Sequence, residues 1–117
     1  MATTYDVLRE ITQLTDSAAS YYANPASTKT FVNMVMLHNT NTTTESVEIY
    51  LVPDNATSVG TAADANRIWK DDLVANETKF IPIPKCGHIM EDENDTIQAL
   101  TDTASKVNIA IYGRKDA

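Results

Sequence analysis

Cys86 and His88 come closest, among the residues of this chain, to a pair that could bind a metal ion or act as nucleophile and base. A zinc site needs four protein ligands, or three and a water molecule, and the sequence offers one further histidine, His38. Nucleophilic catalysis needs a rigidly held nucleophile, base and orienting group, whereas Gly87 between prolines and an acidic run indicates a loop. We therefore expect no catalytic site, no metal site and no cofactor, and a protein that is not an enzyme.

The run Glu91–Asp95 (EDEND) concentrates oxygen ligands of the kind that calcium accepts. It lacks the glycine and the final glutamate at the spacing of an EF-hand loop. The run is therefore interpreted as a solvated hairpin turn before a strand over residues 96–100. An ion shared between subunits is the alternative.

Three aromatic residues could form a sugar-binding platform: Tyr50, Trp69 and Tyr112. They fall on different predicted strands and do not cluster in sequence, so packing in the core or at a subunit interface is favoured. A carbohydrate-binding module remains an alternative function. Four Asn-x-Ser/Thr sequons, at Asn41, Asn55, Asn76 and Asn94, are interpreted as markers of loops.

Apolar and polar residues alternate in the segments that contain Val47–Leu51, Ile97–Ala99 and Val107–Ile111. A period of two places one set of side chains on each face of a strand, so these segments are predicted to be half-buried antiparallel strands. Counting shorter segments of this kind gives about eight strands. The sequence predicts an all-β fold, a single-domain antiparallel β-sandwich of the jelly-roll type over residues 11–113.

The ends of the chain do not follow this alternation. Tyr5, Leu8 and Ile11 fall at helical spacing behind two threonines, so residues 1–10 are predicted to be a short helix or an extended arm. Residues 114–117 are predicted to be a short C-terminal tail. Of the adjacent tyrosines Tyr21 and Tyr22, which face opposite sides of a strand, one is expected at an interface.

Residues 30–39 are apolar on both faces, with Phe31, Val35 and Leu37 on one and Val32, Met34 and Met36 on the other. A strand of this kind needs a cover on its outer face. The N-terminal segment of the same chain or a neighbouring subunit could supply it.

Residues 54–66 form the longest stretch without a strand pattern. A loop of this length in a compact domain is often an interaction loop, which makes Asp54, Asn55 and Val59 candidate binding residues.

The composition excludes several partners. With 117 residues the chain fits one domain, and 16 acidic against 9 basic residues give a formal net charge of −7, which repels phosphate backbones. A single cysteine allows no intrachain disulfide and is compatible with a reducing cytoplasm. We expect no nucleic acid as partner because of this charge, and no membrane because no signal peptide or long apolar segment is found.

From Leu14 onward, the order of segments resembles a family of small phage and prophage virion β-sandwich proteins. In that family a strand ending in Asn-Thr leads into one ending Tyr-Leu-Val-Pro, as at residues 39–40 and 50–53 here. A Gly-Asp-Thr-Ile turn and a final Val-x-Ile-x-Ile-x-Gly strand match residues 94–97 and 107–113, with Asn94 in place of the glycine. Asparagine also adopts left-handed turn conformations.

The resemblance implies a virion structural protein assembled in the host cytoplasm, most simply a capsid cement or decoration protein that binds the major capsid protein and forms dimers or trimers. A tail, neck or fibre adaptor of the same fold, bound to another virion protein, is the alternative. The candidate partner-binding residues are Tyr5, Leu8 and Ile11 in the arm, Tyr21 or Tyr22, and the loop with Asp54, Asn55 and Val59.

Overall fold

A computed structural model describes residues 3–83 and 88–116 of the protein, without the side chains of residues 3–6 and 88. Within these ranges the chain forms strands joined by turns and one short 3-10 helix, and none of the described helices is long and apolar enough to cross a membrane. The strands are β1 (Thr3–Gln13), β2 (Ala19–Ala23), β3 (Lys29–Asn39), β4 (Glu45–Val52), β5 (Arg67–Leu73), β6 (Thr78–Pro82), β7 (His88–Met90), β8 (Thr96–Thr101) and β9 (Val107–Asp116). The 3-10 helix spans Asp64–Asn66.

The strands form two antiparallel sheets packed face to face. The first sheet has the order β1-β9-β3-β6, with β7 also paired to β3, and the second has the order β2-β8-β4-β5. Most connections pass from one sheet to the other, which is the topology of a double-sheet jelly roll. The predicted all-β sandwich is therefore confirmed.

The alternating segments supply the core between the sheets. Ile49 on β4, Ile97 on β8, and Ile109 and Ile111 on β9 are fully buried. Each such side chain contributes roughly 1.5–3 kcal/mol through burial of apolar surface. The period-two pattern thus fixes which face of these strands is internal.

A β-bulge in β3 changes the predicted assignment of its faces. The register with β9 shifts between Val32 and Met34, and Val32 is fully buried together with Val35 and Leu37. Because one extra residue reverses every side chain beyond it, Val32 faces the core and Phe31 does not. The prediction that grouped Phe31 with Val35 and Leu37 is wrong for this reason.

The N-terminal segment is a strand rather than a short helix. β1 pairs with β9 from Thr3 to Gln13, so long-range pairing overrides the helical spacing of the apolar residues in this segment. β1 passes through the boundary predicted at residue 10, and β9 passes through the one predicted at residue 113. The segment widens the first sheet at its edge, and the expectation that it covers the outer face of β3 is wrong.

The acidic segment 91–95 connects the two sheets. The segment 91–95 links β7 in the first sheet to β8 in the second, so it is a crossover between sheets rather than a hairpin. Within it Asn94 has φ 72°, which confirms that this asparagine takes the left-handed conformation. Pro82 ends the edge strand β6, where a residue without a backbone donor is tolerated. Cys86 lies outside the described residues.

Candidate interaction surfaces

The loop over residues 53–66 covers the outer face of the second sheet. Tyr50 and Gln98 are cross-strand neighbours that point away from the core, yet they are only 6% and 5% exposed. The Nε2 atom of Gln98 donates a hydrogen bond of 3.0 Å to the backbone carbonyl of Gly60 in this loop. The second sheet is therefore covered by its own chain.

The tip of this loop is a tight turn held in a strained conformation. Asn55 and Ser58 exchange two backbone hydrogen bonds of 2.9 and 3.0 Å around Ala56 and Thr57, whose φ angles are 49° and 68°. Positive φ is unfavourable for alanine and is a clear outlier for a β-branched threonine. Such strain persists where the surroundings impose it, and it is concentrated at binding sites.

Two contacts hold the tip against the neighbouring turn. The Nδ2 atom of Asn94 donates to the carbonyl of Thr57 at 2.9 Å, and the backbone N–H of Asp54 donates to Oδ1 of Asp95 at 2.8 Å. Asp54 is half-buried, whereas Asn55 is exposed and Val59 is 49% exposed. The loop is thus a fixed protrusion on which Asn55 and Val59 are available to a partner.

The outer face of the first sheet is apolar and partly exposed. Val7, Tyr112, Met34 and Pro82 form one cross-strand row, and Ala110, Met36 and Phe80 form the next. Phe80 is 61% exposed, Ile89 43% and Val7 37%. We call this surface the apolar face; it comprises Val7, Phe31, Met34, Met36, Phe80, Pro82, Ile89, Ala110, Tyr112 and Arg114.

The positive group of the apolar face is placed over an aromatic ring. Arg114 and Phe31 are cross-strand partners, and the guanidinium carbon lies 4.1 Å from the centroid of the ring. A cation at this distance over a ring face is attracted by its quadrupole. Arg114 thus covers Phe31, which is 9% exposed.

Tyr21 and Tyr22, one of which is expected at an interface, both form hydrogen bonds within the chain. Tyr21 is 6% exposed and its hydroxyl accepts a hydrogen bond of 3.0 Å from the backbone N–H of Thr15. Tyr22 is half-buried, with its hydroxyl 3.0 Å from Oγ1 of Thr30. Tyr21 is therefore buried in this domain, and a register shift between Ser20 and Tyr22 in the pairing of β2 with β8 lets both adjacent rings pack against it.

The candidate residues of β1 divide between core and surface. Leu8 is half-buried and packs against the core, whereas Ile11 is 58% exposed on the edge of the first sheet. The side chain of Tyr5 lies outside the described residues, although its backbone pairs with Arg114. Ile11 therefore remains available to a partner, and Leu8 is in large part a core residue.

The residues considered for chemistry have structural contacts. Nδ1 of His38 lies 2.7 Å from Oγ1 of Thr78 on the neighbouring strand. Among the residues that the structure describes, no group of three or more Asp, Glu, His or Cys is arranged to hold a metal ion. A cleft of about 350 Å³ borders Asp92 and Asp95, but both oxygens of Asp95 accept backbone hydrogen bonds, from Asp54 and Asp92.

The three aromatic residues considered for sugar binding point in three directions. Trp69 pairs with the inward-facing Ile49 and lies under the ammonium group of Lys79, 5.8 Å from the ring centroid. Tyr50 lies beneath the loop on the outer side of the second sheet, and Tyr112 lies on the apolar face. They form no common platform, so the carbohydrate-binding hypothesis loses its proposed site.

Glu45 is a buried carboxylate that connects the loop before β4, the end of β8 and the turn after β8. Its two oxygens accept hydrogen bonds from Asn41, from Thr101, and from the N–H and hydroxyl of Thr103, at 2.8 to 3.2 Å. Burial works to raise the pKa of Glu45, but these hydrogen bonds together bring it below its ordinary value. The residue therefore holds the turn after β8 against the start of β4.

A second hydrogen-bonded carboxylate, that of Glu48, lies on the outer side of the second sheet next to Tyr50. The hydroxyl of Tyr50 donates to Oε1 of Glu48 at 2.7 Å, and the guanidinium of Arg67 donates to the same oxygen at 3.0 Å. The hydrogen bond from Tyr50 contributes most to lowering the pKa of Glu48, and the bond from Arg67 lowers it further. Burial raises the pKa of Tyr50. Both shifts follow from a structural network rather than from a site open to substrate.

No protein-family model matches the sequence, and no curated protein matches it. Among solved structures, the chain is similar to one from the structure of infectious bursal disease virus Gt strain, with a TM-score of 0.36 and 8% sequence identity. The match covers 97% of this chain and 30% of that chain. The protein thus spans less than a third of the length of the chain that it matches.

Proposed function

We propose that the protein is a structural component of a virion that acts by binding alone, most simply a capsid cement protein that attaches to the shell formed by the major capsid protein. The observation that carries this proposal is that one sandwich presents two separate surfaces suited to binding a partner. One is the strained loop tip over the second sheet, and the other is the apolar face of the first sheet. A clamp between two neighbours needs such an arrangement.

The loop tip is the surface that we assign to the shell. Its conformation is fixed by hydrogen bonds from Asp54 and Asn94, so little conformational entropy is lost when a partner binds. Asn55 offers hydrogen bonding and Val59 offers apolar area at this exposed position. Attachment through several copies would multiply the modest affinity of each loop.

A tail, neck or fibre adaptor with the same fold is the second candidate. It would use the same two surfaces, since fold and site do not fix the position of a protein in a particle. The two candidates differ in copy number, because a cement protein follows the shell lattice whereas an adaptor follows the symmetry of one vertex or tail.

Quantitative mass spectrometry of purified particles tests the proposal. We expect hundreds of copies in each particle, in a fixed ratio to the major capsid protein. Dozens of copies or fewer would favour the adaptor, and absence of the protein from particles would overturn the virion role. Adding purified protein to shells that lack it should restore their stability to heat, and Val59→Asp should reduce this rescue while Val74→Asp, an exposed valine elsewhere, should not.

A further inference from the structure

The size of the apolar face is that of a protein interface. β3 has 11 residues, which at about 3.4 Å per residue gives a length of about 37 Å. Four strands abreast at a spacing of about 4.8 Å give a width of about 19 Å, and so an area of roughly 700 Å². A standard interface buries roughly 800 Å² on each partner, so one complete sheet face, with its charged margin included, comes close to this size.

The charge of the apolar face differs from that of the whole chain. The chain has 16 acidic residues. Four cross-strand rows of the first sheet run through Ile89, Pro82, Phe80 and Thr78, and none of the residues paired in these rows is Asp or Glu. Depletion of charge in the centre of a surface is the compositional mark of an interface core.

The charged groups of the first sheet lie at the margins of this face. Lys29 and Asp116 are paired at one end, where Lys29 also lies 3.4 Å from Glu91. Glu10 falls in the irregular part of the edge strand β1. An apolar centre with a charged margin is the usual anatomy of a protein interface.

We propose that the apolar face is the contact between two copies of this chain. A partner selected by charge would meet this acidic protein at its carboxylates, and the apolar face offers none in those rows. A second copy brings the same carboxylate-free rows, so that no carboxylate is placed against another in the centre of the contact, and Arg114 stays over the ring of its own Phe31. On the second sheet, by contrast, the loop over residues 53–66 lies across Tyr50 and Gln98, so its outer face offers no comparable apolar surface to a second copy.

The geometry also sets the number of copies. A flat face that binds the identical face of another copy forms an isologous contact, which closes after two subunits. The two sheets would stack as in a four-layered sandwich, about 10 Å apart, with the methionines Met34 and Met36 in the middle. The inference therefore predicts a dimer with two loop tips directed away from each other, and excludes a trimer built through this face.

Sedimentation equilibrium of the full chain tests the proposal. We expect a dimer in the micromolar range, with an affinity that is unchanged or higher in concentrated salt, because the contact is apolar. Phe80→Glu should weaken dimerisation by roughly 100-fold or more, since each copy places a charge in an apolar contact. Phe80 is 61% exposed, so the fold should be retained, and its circular dichroism and melting temperature check this.

Matched variants separate the apolar face from other surfaces. Ile89→Glu should repeat the effect of Phe80→Glu, whereas Ile68→Glu and Val74→Glu, at residues 47% and 59% exposed outside this face, should leave the dimer intact. A wild-type monomer, a trimer, or a dimer lost through Ile11→Glu on the strand edge but not through Phe80→Glu would overturn the proposal.

The inference concerns the apolar face, on which the proposed virion function also draws, but the two proposals are tested by different measurements. The oligomeric state is measured on purified protein, whereas the virion role is measured by copy number on particles. A dimer in a protein that is absent from particles would refute the proposed function alone, and a monomeric protein present in hundreds of copies would refute the dimer alone.

Discussion

The side-chain amide of Gln98 and the backbone carbonyl of Gly60 are joined by a hydrogen bond of 3.0 Å across the outer side of the second sheet. Gln98 also donates to Oγ1 of Thr96 at 3.1 Å, so the glutamine is fixed from both sides. Because the side chain is 5% exposed, neither group can exchange this bond for water without movement of the loop. The bond therefore links the conformation of the candidate docking loop to the rigidity of β8.

Gln98→Leu should destabilise the protein by about 1–3 kcal/mol, because the Gly60 carbonyl is left without its partner. Hydrogen exchange should accelerate in the loop over residues 54–62 more than elsewhere, as the loop loses its anchor. Gln13→Leu is the matched control, since Gln13 makes a comparable bond to the Ser105 carbonyl at 3.2 Å on the exposed surface. Equal effects of the two substitutions would contradict the role assigned to Gln98.

Ala56→Asn combined with Thr57→Gly should stabilise the protein by about 0.5–1 kcal/mol. Both positions have positive φ, and Asn-Gly is the favoured pair for a two-residue turn of this type. Urea denaturation measures the gain, and Thr61→Gly in the same loop, where no positive φ occurs, should give none. A loss of stability in the double variant would show that the turn is not strained. Shell rescue by the stabilised protein should be retained, since the turn keeps its shape.

Glu45→Gln should reduce stability at neutral pH by about 1–3 kcal/mol, because a carboxamide offers one acceptor oxygen where the carboxylate offers two. The folded pKa of Glu45 lies below its unfolded value, so its contribution is present above the unfolded pKa and is lost as the pH falls through the folded pKa. Urea midpoints should therefore differ between variant and wild type near pH 7 and converge in acid. A difference that stays constant down to pH 2–3 would show that ionisation of Glu45 is not involved.

Alternation along the chain predicted the strands that supply the core because each was decided by its own residues. Ile49, Ile97 and Ile109 lie where a period of two places them, and burial of one face is a local property of a strand. The two-sheet architecture was predicted from the number of strands and from the turns between them. These features needed no knowledge of which strand lies beside which.

The features that the sequence did not predict depend on pairing between distant residues. The helical spacing at residues 5–11 gave the wrong element because β9, a hundred residues later in the chain, supplies the partner of β1. Likewise the row of Ala110, Met36 and Phe80 unites three strands, and no window of sequence contains it. Exposure of the loop residues Asn55 and Val59 could be predicted because a long loop is a local signal.

Gly113 lies near the end of β9, where no side chain can be accommodated. The alternation of Val107, Ile109 and Ile111 would place another inward-facing apolar side chain at this position. A Cβ atom there would overlap the carbonyl oxygen of Phe31 and come within 2.9 Å of Cδ1 of Leu8. Because the Phe31 carbonyl oxygen is the nearer of the two atoms and belongs to the backbone of the neighbouring strand, a side chain at position 113 has no room.

Gly113→Ala should therefore destabilise the protein by about 2–3 kcal/mol, and Asn108→Ala on the same strand by less than about 0.5 kcal/mol. Removing the flexible neighbour should not restore stability: in Leu8→Ala combined with Gly113→Ala the Phe31 carbonyl remains, and backbone cannot rotate away as a side chain can. Thermal unfolding of the single and double variants measures this. Recovery in the double variant would place the conflict at Leu8 instead and would mean that β9 can shift away from β3.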